Sequence, residues 1–257
     1  LIRTASADRG GFEYVNKRLQ GAIGAGLVAL QAGIAAVDNF MCGELAALRM
    51  LPVDKVEKAV CAACAAGLVE VVQALLDSEE GAERAAAARR VVVEYFYPLW
   101  GAAMNGRIGV VDLLLGVEGV DVNRGDPGDD SATPLYMACS KGHLAVVERL
   151  LAHPATDVNQ ARTDVGATPL FIACEQDHLA VVERLLAHPA TDVNQVNKKN
   201  QTPLNKAADQ GHFAVVKVLL EKGANTSIKD DWDDTPLASA EAKGHGEVAA
   251  LLRGWRG

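Results

Sequence analysis

The apolar residues of this chain recur in short blocks at helical spacing. Residues 143–160 read HLAVVERLLAHPATDVNQ, and the same eighteen letters return at 178–195. The apolar positions of the first copy are Leu144, Val146, Val147, Leu150 and Leu151. They share one side of a helix, with polar residues on the other, so the block predicts a short amphipathic helix. An identical second copy indicates a duplicated structural unit.

The period of this duplication follows from Thr-Pro-Leu triplets. They begin at Thr133, Thr168, Thr202 and Thr235, at intervals of 35, 34 and 33 residues. Weaker copies cover 97–123 and, without the Thr-Pro pair, 57–76. The units therefore continue from about residue 55 to the end of the sequence.

Each unit predicts two helices and a polar loop. Thr133 stands where an N-cap is expected, Pro134 suits the first helical position, and Gly142 can end that helix at positive φ. The amphipathic block then forms a second helix. Its few aliphatic side chains cannot offset the entropy lost in ordering a whole unit, so the units are expected to stack and share their apolar faces.

The period, the Thr-Pro-Leu triplets, the Gly-His pairs and the DVN segments together resemble ankyrin repeats, clearly over 97–257 and more faintly over 55–96. The resemblance implies an all-α solenoid of about five to seven repeats, in which hairpin-like loops project as fingers between helix pairs. It also implies a non-catalytic module that binds another protein. We expect the chain to be monomeric, without a cofactor or a metal ion.

The expected domain organisation has three parts. Residues 1–19 form an unassigned N-terminal extension, and 20–54 form degenerate helices or a worn repeat, with GELAALRML at 43–51 as its second helix. Residues 55–257 form the repeat domain, ending in a C-terminal capping repeat. Glu241 stands where other repeats have Cys or Ala, which fits a cap with one solvated side.

Two alternatives concern the N-terminal part. Residues 19–37 carry no charge and are nearly long enough to cross a bilayer, although their Gln, Gly and Ala content gives a weak driving force. We expect no membrane span there, with a membrane-attached protein as the alternative. The chain begins at Leu1, which suggests a fragment or a processed product. A regulatory or adaptor segment of a larger enzyme or membrane protein is therefore the second alternative.

The chain departs from the family pattern in two respects. Where the family often has His after Thr-Pro-Leu, this chain has Tyr136, Phe171, Asn205 and Ala238. The hydrogen bond that the family's His provides is therefore not assured here. Asp177 replaces the turn glycine, which Asp tolerates because it enters the left-handed region more easily than most residues.

Charge and cysteine usage limit the function classes. The net charge is −8, and the Arg pair at 89–90 lies in an alanine run that predicts a solvated helix face, so we expect no nucleic-acid partner. Five cysteines form no disulfide framework, which favours a reducing, intracellular and cytoplasmic location. Cys61, Cys64, Cys139 and Cys174 are expected to be core residues.

Two motifs imitate chemistry that we do not expect. His143, His178, His212 and His245 recur once per repeat, but neighbouring helices pack about 8–10 Å apart, too far to share one zinc ion. They are expected to be structural turn residues, and His153 and His188 to be loop residues. GAGLVA at 24–29 resembles a dinucleotide fingerprint but follows no predicted strand.

The family's contact positions define the candidate partner-binding residues. They map onto Asp129, Asp130, Ser140, Lys141, Arg162, Asp164, Val165, Glu175, Gln176, Lys198, Lys199, Asp209, Gln210, Asp231, Trp232 and Lys243. Trp232 stands out because acidic residues surround it and make burial difficult, which suggests a contact for a basic or mixed partner segment. The loops carrying Asn159 and Asn194 also resemble the segments that asparagine hydroxylases modify in ankyrin domains.

Overall fold

A computed structural model describes residues 53–77, 82–95, 97–126 and 130–255. Within these residues the chain forms thirteen helices and no strand. They are Val53–Ala66 (α1), Val69–Leu76 (α2), Ala82–Glu94 (α3), Tyr97–Met104 (α4), Ile108–Leu115 (α5), Pro134–Lys141 (α6), Leu144–Leu151 (α7), Pro169–Glu175 (α8), Leu179–Leu186 (α9), Pro203–Gln210 (α10), Phe213–Glu221 (α11), Pro236–Ala242 (α12) and Gly246–Gly254 (α13).

Twelve of these helices form six pairs that stack in a row. The first helices α1, α4, α6, α8, α10 and α12 each pack on the next, and the second helices α2, α5, α7, α9, α11 and α13 do the same. One continuous apolar core runs through the stack, with Leu135, Leu170 and Leu204 buried at equivalent positions. The predicted all-α solenoid is confirmed.

The Thr-Pro-Leu triplets start the first helices as predicted. The Thr133 hydroxyl accepts a hydrogen bond from the Tyr136 backbone N–H at 3.1 Å, and Pro134 occupies the first turn. The helix ends at Gly142, whose φ is 71°. Asp177 occupies the equivalent turn at φ 57°, so the prediction that Asp enters the left-handed region there is confirmed.

The repeated histidines join neighbouring helix pairs. His178 Nε2 lies 3.1 Å from the Ser140 carbonyl oxygen of the preceding pair, and His143, His212 and His245 make equivalent contacts at 2.9–3.1 Å. A carbonyl oxygen can only accept, so Nε2 donates. A Cβ at Gly142 would lie 2.8 Å from the His178 ring, so this glycine also permits close approach. The predicted structural role of these histidines is confirmed.

A second set of bonds joins the loops that follow the second helices. The Asn159 side-chain amide donates to the Ala190 carbonyl at 2.6 Å, and its carbonyl oxygen accepts from the Asp192 N–H at 3.0 Å. Asn123 makes the same two contacts to the loop after α7. The asparagines of the DVN segments therefore hydrogen-bond to the next loop and hold neighbouring repeats at a fixed spacing.

Helix α3 interrupts the regular order. It lies in the linker between the first two pairs and packs against α1 and α2. Ala88, Val91 and Val92 are buried, whereas Arg89 and Arg90 are exposed, which confirms the predicted solvated face. The period of the repeats did not predict this additional helix.

Several N-terminal expectations lie outside the described residues. They concern the membrane alternative at 19–37, the GAGLVA segment at 24–29 and the worn repeat with its helix at 43–51. Among the helices that are described, none has the length and apolar character needed to cross a membrane. The proposed domain boundaries remain predictions. At the other end, Glu241 is exposed and pairs with Arg253, and the capping role of the last repeat also remains a prediction.

Replacing a bridging histidine should cost more stability than replacing a loop histidine. His178→Ala removes the bond to the Ser140 carbonyl and the ring packing over Gly142, so the free energy of unfolding should fall by about 1–2 kcal/mol. His188→Ala is the matched control, because that ring bonds only its own loop at 3.4 Å. Urea denaturation followed by circular dichroism measures both. Equal losses in the two variants would contradict the bridging role.

Candidate partner-binding surface

Four hairpin-like loops project beside the first helices. We call them finger 1 (described at 124–126 and 130–132), finger 2 (159–167), finger 3 (194–201) and finger 4 (227–234). A backbone bond closes each loop, such as Arg162 N–H to the Ala167 carbonyl at 3.0 Å in finger 2 and Asp230 N–H to the Asp234 carbonyl at 3.1 Å in finger 4. The predicted hairpin-like loops are therefore present without regular strands among these residues.

Backbone bonds also connect each finger to the next. Thr163 N–H donates to the Asp130 carbonyl at 2.8 Å, Lys198 N–H to the Val165 carbonyl at 2.9 Å, and Asp231 N–H to the Lys199 carbonyl at 3.1 Å. These bonds join the tips of neighbouring fingers along one edge. We call this edge the tip row, which consists of Asp130, Val165, Lys199 and Trp232.

Gly166 allows fingers 2 and 3 to approach. Its φ is 72°, and a Cβ at this position would lie 3.0 Å from the Lys198 backbone nitrogen. A larger residue would therefore meet both backbone strain and the neighbouring finger. The spacing of the tip row depends on this close contact.

The structure leaves every described candidate residue accessible to solvent. Those that are exposed are Asp130, Lys141, Val165, Gln176, Lys198, Lys199, Gln210, Asp231, Trp232 and Lys243. Those that are half-buried are Ser140, Arg162, Asp164, Glu175 and Asp209. Asp129 lies outside the described residues. Their role in binding stays a prediction.

Trp232 is held in an exposed position by its own finger. The side chain is 60% exposed, and the Lys199 ammonium lies 5.5 Å from the ring centroid. At the base of finger 4, the Asp230 carboxylate accepts from the Trp232 and Asp234 backbone N–H groups, both at 3.0 Å. A rigid turn therefore presents the indole ring to solvent.

Finger 2 neutralises its own charges. Arg162 donates two hydrogen bonds to Asp164, at 3.1 and 2.8 Å, lies 3.5 Å from Asp130, and stacks 5.5 Å from the Tyr136 ring centroid. Although partial burial raises the pKa of Asp164, hydrogen bonds from the Val165 backbone and from Arg162 lower it overall. Burial raises the pKa of Tyr136 despite the nearby guanidinium.

The ends of the first helices carry ion pairs between neighbouring repeats. Lys206 lies 2.8 Å from Glu175, and Lys243 lies 3.7 Å from Asp209. Sequence reasoning missed Lys206, although it stands three and four residues before the predicted contacts Asp209 and Gln210 and therefore on their face of α10. In the two preceding repeats, the position of Lys206 is occupied by Met137 and Ile172, which are buried. The repeat pattern therefore did not predict an accessible cation at this position.

Asn205 makes a connection that the sequence left in doubt. Its side-chain oxygen accepts from the Thr202 N–H at 3.0 Å, which completes a capping box at the start of α10. Its amide donates to the Asp234 carbonyl at 3.4 Å, at the base of finger 4. An asparagine therefore links helix to finger in this repeat without the histidine usual in the family.

Three of the described cysteines belong to the core, as predicted, and Cys61 packs half-buried against it. Cys64, Cys139 and Cys174 are buried, and burial raises the pKa of each thiol, with Cys61 raising that of Cys64 further and Cys139 that of Cys174. A buried thiol of this kind is a poor nucleophile. In the part of the chain that the structure describes, no three His, Cys, Asp or Glu side chains converge as a metal site would need.

Burial should protect Cys139 and Cys174 from alkylation. At about pH 8, near the pKa of an unfolded thiol, iodoacetamide should modify half-buried Cys61 first and reach Cys139 and Cys174 only in denaturant. Because the folded-state pKa is raised, these thiols stabilise the fold below the unfolded pKa and lose that effect at higher pH. Peptide mass mapping measures the order in which the thiols are alkylated. Equally fast labelling of Cys139 and Cys61 in the native chain would contradict the protection of Cys139 by burial.

Comparison with known families agrees with this architecture. A family model described as ankyrin repeats, in three copies, matches residues 99–197 and 186–255. No curated protein shows significant sequence similarity to the chain. The matched region takes in the four fingers and the helices α6 to α13. The chain therefore belongs to the ankyrin-repeat family.

Proposed function

We propose that this protein binds a partner protein through the tip row and the adjoining ends of its first helices. Ankyrin repeats are generally protein–protein interaction modules. The observation that carries the proposal is the 60% exposed side chain of Trp232 on a hydrogen-bonded finger. Tryptophan is enriched among the residues that dominate binding energy, because its large ring buries much apolar area at little cost in side-chain entropy.

Preorganisation supports the same surface. The finger-to-finger bonds and the Asp230 turn fix the tip row before a partner arrives, so binding need not order these loops. The ion pairs at the helix ends hold Lys206 and Lys243 in place in the same way. A fixed, grooved surface of this kind favours recognition over catalysis, and we infer a non-catalytic role.

A photo-crosslinking residue, introduced separately at two exposed aromatic positions, tests this assignment. Trp232→p-benzoylphenylalanine puts the probe on the tip row, and Phe213→p-benzoylphenylalanine puts it at the start of α11, on the side away from the fingers. Both positions are exposed and aromatic, which makes them a matched pair. Expressed in its source cells, the chain should form a discrete crosslinked species from position 232 only.

The converse result decides against the proposal. A partner that crosslinks from position 213 and not from 232 would show that binding uses the second helices. In a pull-down with the same partner, Trp232→Ala should weaken binding by at least about tenfold, as expected for a central contact residue. Circular dichroism must first show that the variant keeps its helix content.

A further inference from the structure

Fingers 2, 3 and 4 differ in charge once internal pairs are removed. In finger 2, Arg162 and Asp164 pair with each other, and Val165 is 44% exposed beside them. Finger 3 carries Lys198 and Lys199 and no carboxylate. Finger 4 carries one lysine and four aspartates. Its net charge is therefore negative, next to a positive neighbour.

The two lysines of finger 3 keep their charge available. The Lys198 ammonium donates to the Thr163 carbonyl at 2.6 Å, and that of Lys199 lies over the Trp232 ring. Neither forms an ion pair with a carboxylate among the described residues. A basic segment of a partner would meet two like charges here, whereas a carboxylate would gain two opposite charges.

The carboxylates of finger 4 are only partly engaged. Asp233 pairs with Lys229 at 2.8 Å, and Asp230 is buried under two backbone N–H groups. Asp231 is exposed and accepts only from the neutral Asn200 amide, at 2.6 Å. Asp231 therefore retains a negative charge beside the exposed Trp232 ring.

The spacing of the fingers sets the spacing of a matching ligand. Neighbouring helix pairs lie about 8–10 Å apart, and an extended chain advances about 3.3 Å per residue, so one finger corresponds to about three residues. A segment crossing fingers 2, 3 and 4 thus meets an apolar site, a positive site, and a negative aromatic site in that order.

We propose that the tip row binds an extended partner segment with an apolar residue over Val165, an acidic residue over Lys198 and Lys199, and a basic residue against Asp231, while the Trp232 ring, which already carries Lys199 over it, packs against the apolar parts of the segment. Consecutive contacts are about three residues apart, and the segment runs in either direction. This assignment rests on the proposed function and adds the chemistry of its ligand. The sequence alone suggested a basic or mixed partner segment. The structure narrows this to a mixed segment, because two aspartates of finger 4 have partners within that finger and the lysines of finger 3 remain available.

Selection from a random library of displayed 12-residue peptides, with the full chain as target, tests the proposal. Enriched sequences should show the apolar, acidic and basic residues at three-residue spacing. The best synthetic peptide is then titrated by fluorescence anisotropy against the wild-type chain, Trp232→Ala, Lys198→Glu/Lys199→Glu and the conservative Lys198→Arg/Lys199→Arg. The control is Lys217→Glu/Lys222→Glu, which makes the same charge change at exposed positions of α11 and just beyond its end.

The expected result is a charge-dependent loss of affinity. Lys198→Glu/Lys199→Glu should weaken binding by at least about tenfold, whereas the arginine variant and the α11 control should retain it. A peptide whose acidic residue is changed to Lys should bind the glutamate variant more tightly than the wild-type chain. A substitution that only destabilised finger 3 would not produce this reversal of preference. Affinity should also fall as salt shortens the screening length, from about 10 Å at 0.1 M to about 3 Å at 1 M.

The contrary outcomes separate the two levels of the proposal. Suppose that Trp232→Ala abolishes binding of the selected peptides, but that these peptides carry no acidic residue or bind the lysine variants with unchanged affinity. That result would overturn the proposed ligand chemistry while still supporting the tip row as the binding surface. Peptides that ignore Trp232→Ala, or a selection that yields no binder, would overturn the surface itself. Matching thermal unfolding of all variants excludes loss of fold as the cause.

Discussion

Contact between neighbouring helix pairs is the interaction on which this structure depends. The helices α6 to α13 are only seven to nine residues long, which is too short for stability in isolation. Their apolar residues become buried against the neighbouring pairs as well as within their own, so the core is continuous along the stack. Histidine bonds at the turns and asparagine bonds at the opposite loops keep successive pairs in register.

The same contact positions the binding surface. Each finger leads into the first helix of a pair, so the distance between fingers follows the distance between stacked pairs. Backbone bonds between fingers then leave little freedom for the tips. The Asp230 turn holds the backbone of Trp232, and the indole ring is exposed with the Lys199 ammonium over it. Stacking thus provides stability and a preorganised row of contacts at once.

Local sequence signals predicted much of the fold. The Thr-Pro pairs marked helix starts because capping depends on a residue and its near neighbours, and the His and Cys roles followed from their register in the repeat. The Arg pair of α3 indicated a solvated helix face, but the bounds and packing of this helix were not predicted because its alanine-rich sequence shares neither the period nor the caps. The pairing of Lys206 with Glu175 and the bond from the Asn205 side chain to the Asp234 backbone carbonyl were also missed, since each joins groups about 30 residues apart in the sequence. The charge left on each finger is a property of such pairings, and composition alone does not reveal it.

The central claim is that the pairs fold only because they stack. Three fragments test it directly: residues 132–166 with one helix pair, 132–200 with two, and 132–255 with four. Circular dichroism during urea denaturation should find the single pair unfolded, and the free energy of unfolding should rise with each added pair. A single pair that folds cooperatively, with the stability of the four-pair fragment, would contradict the account.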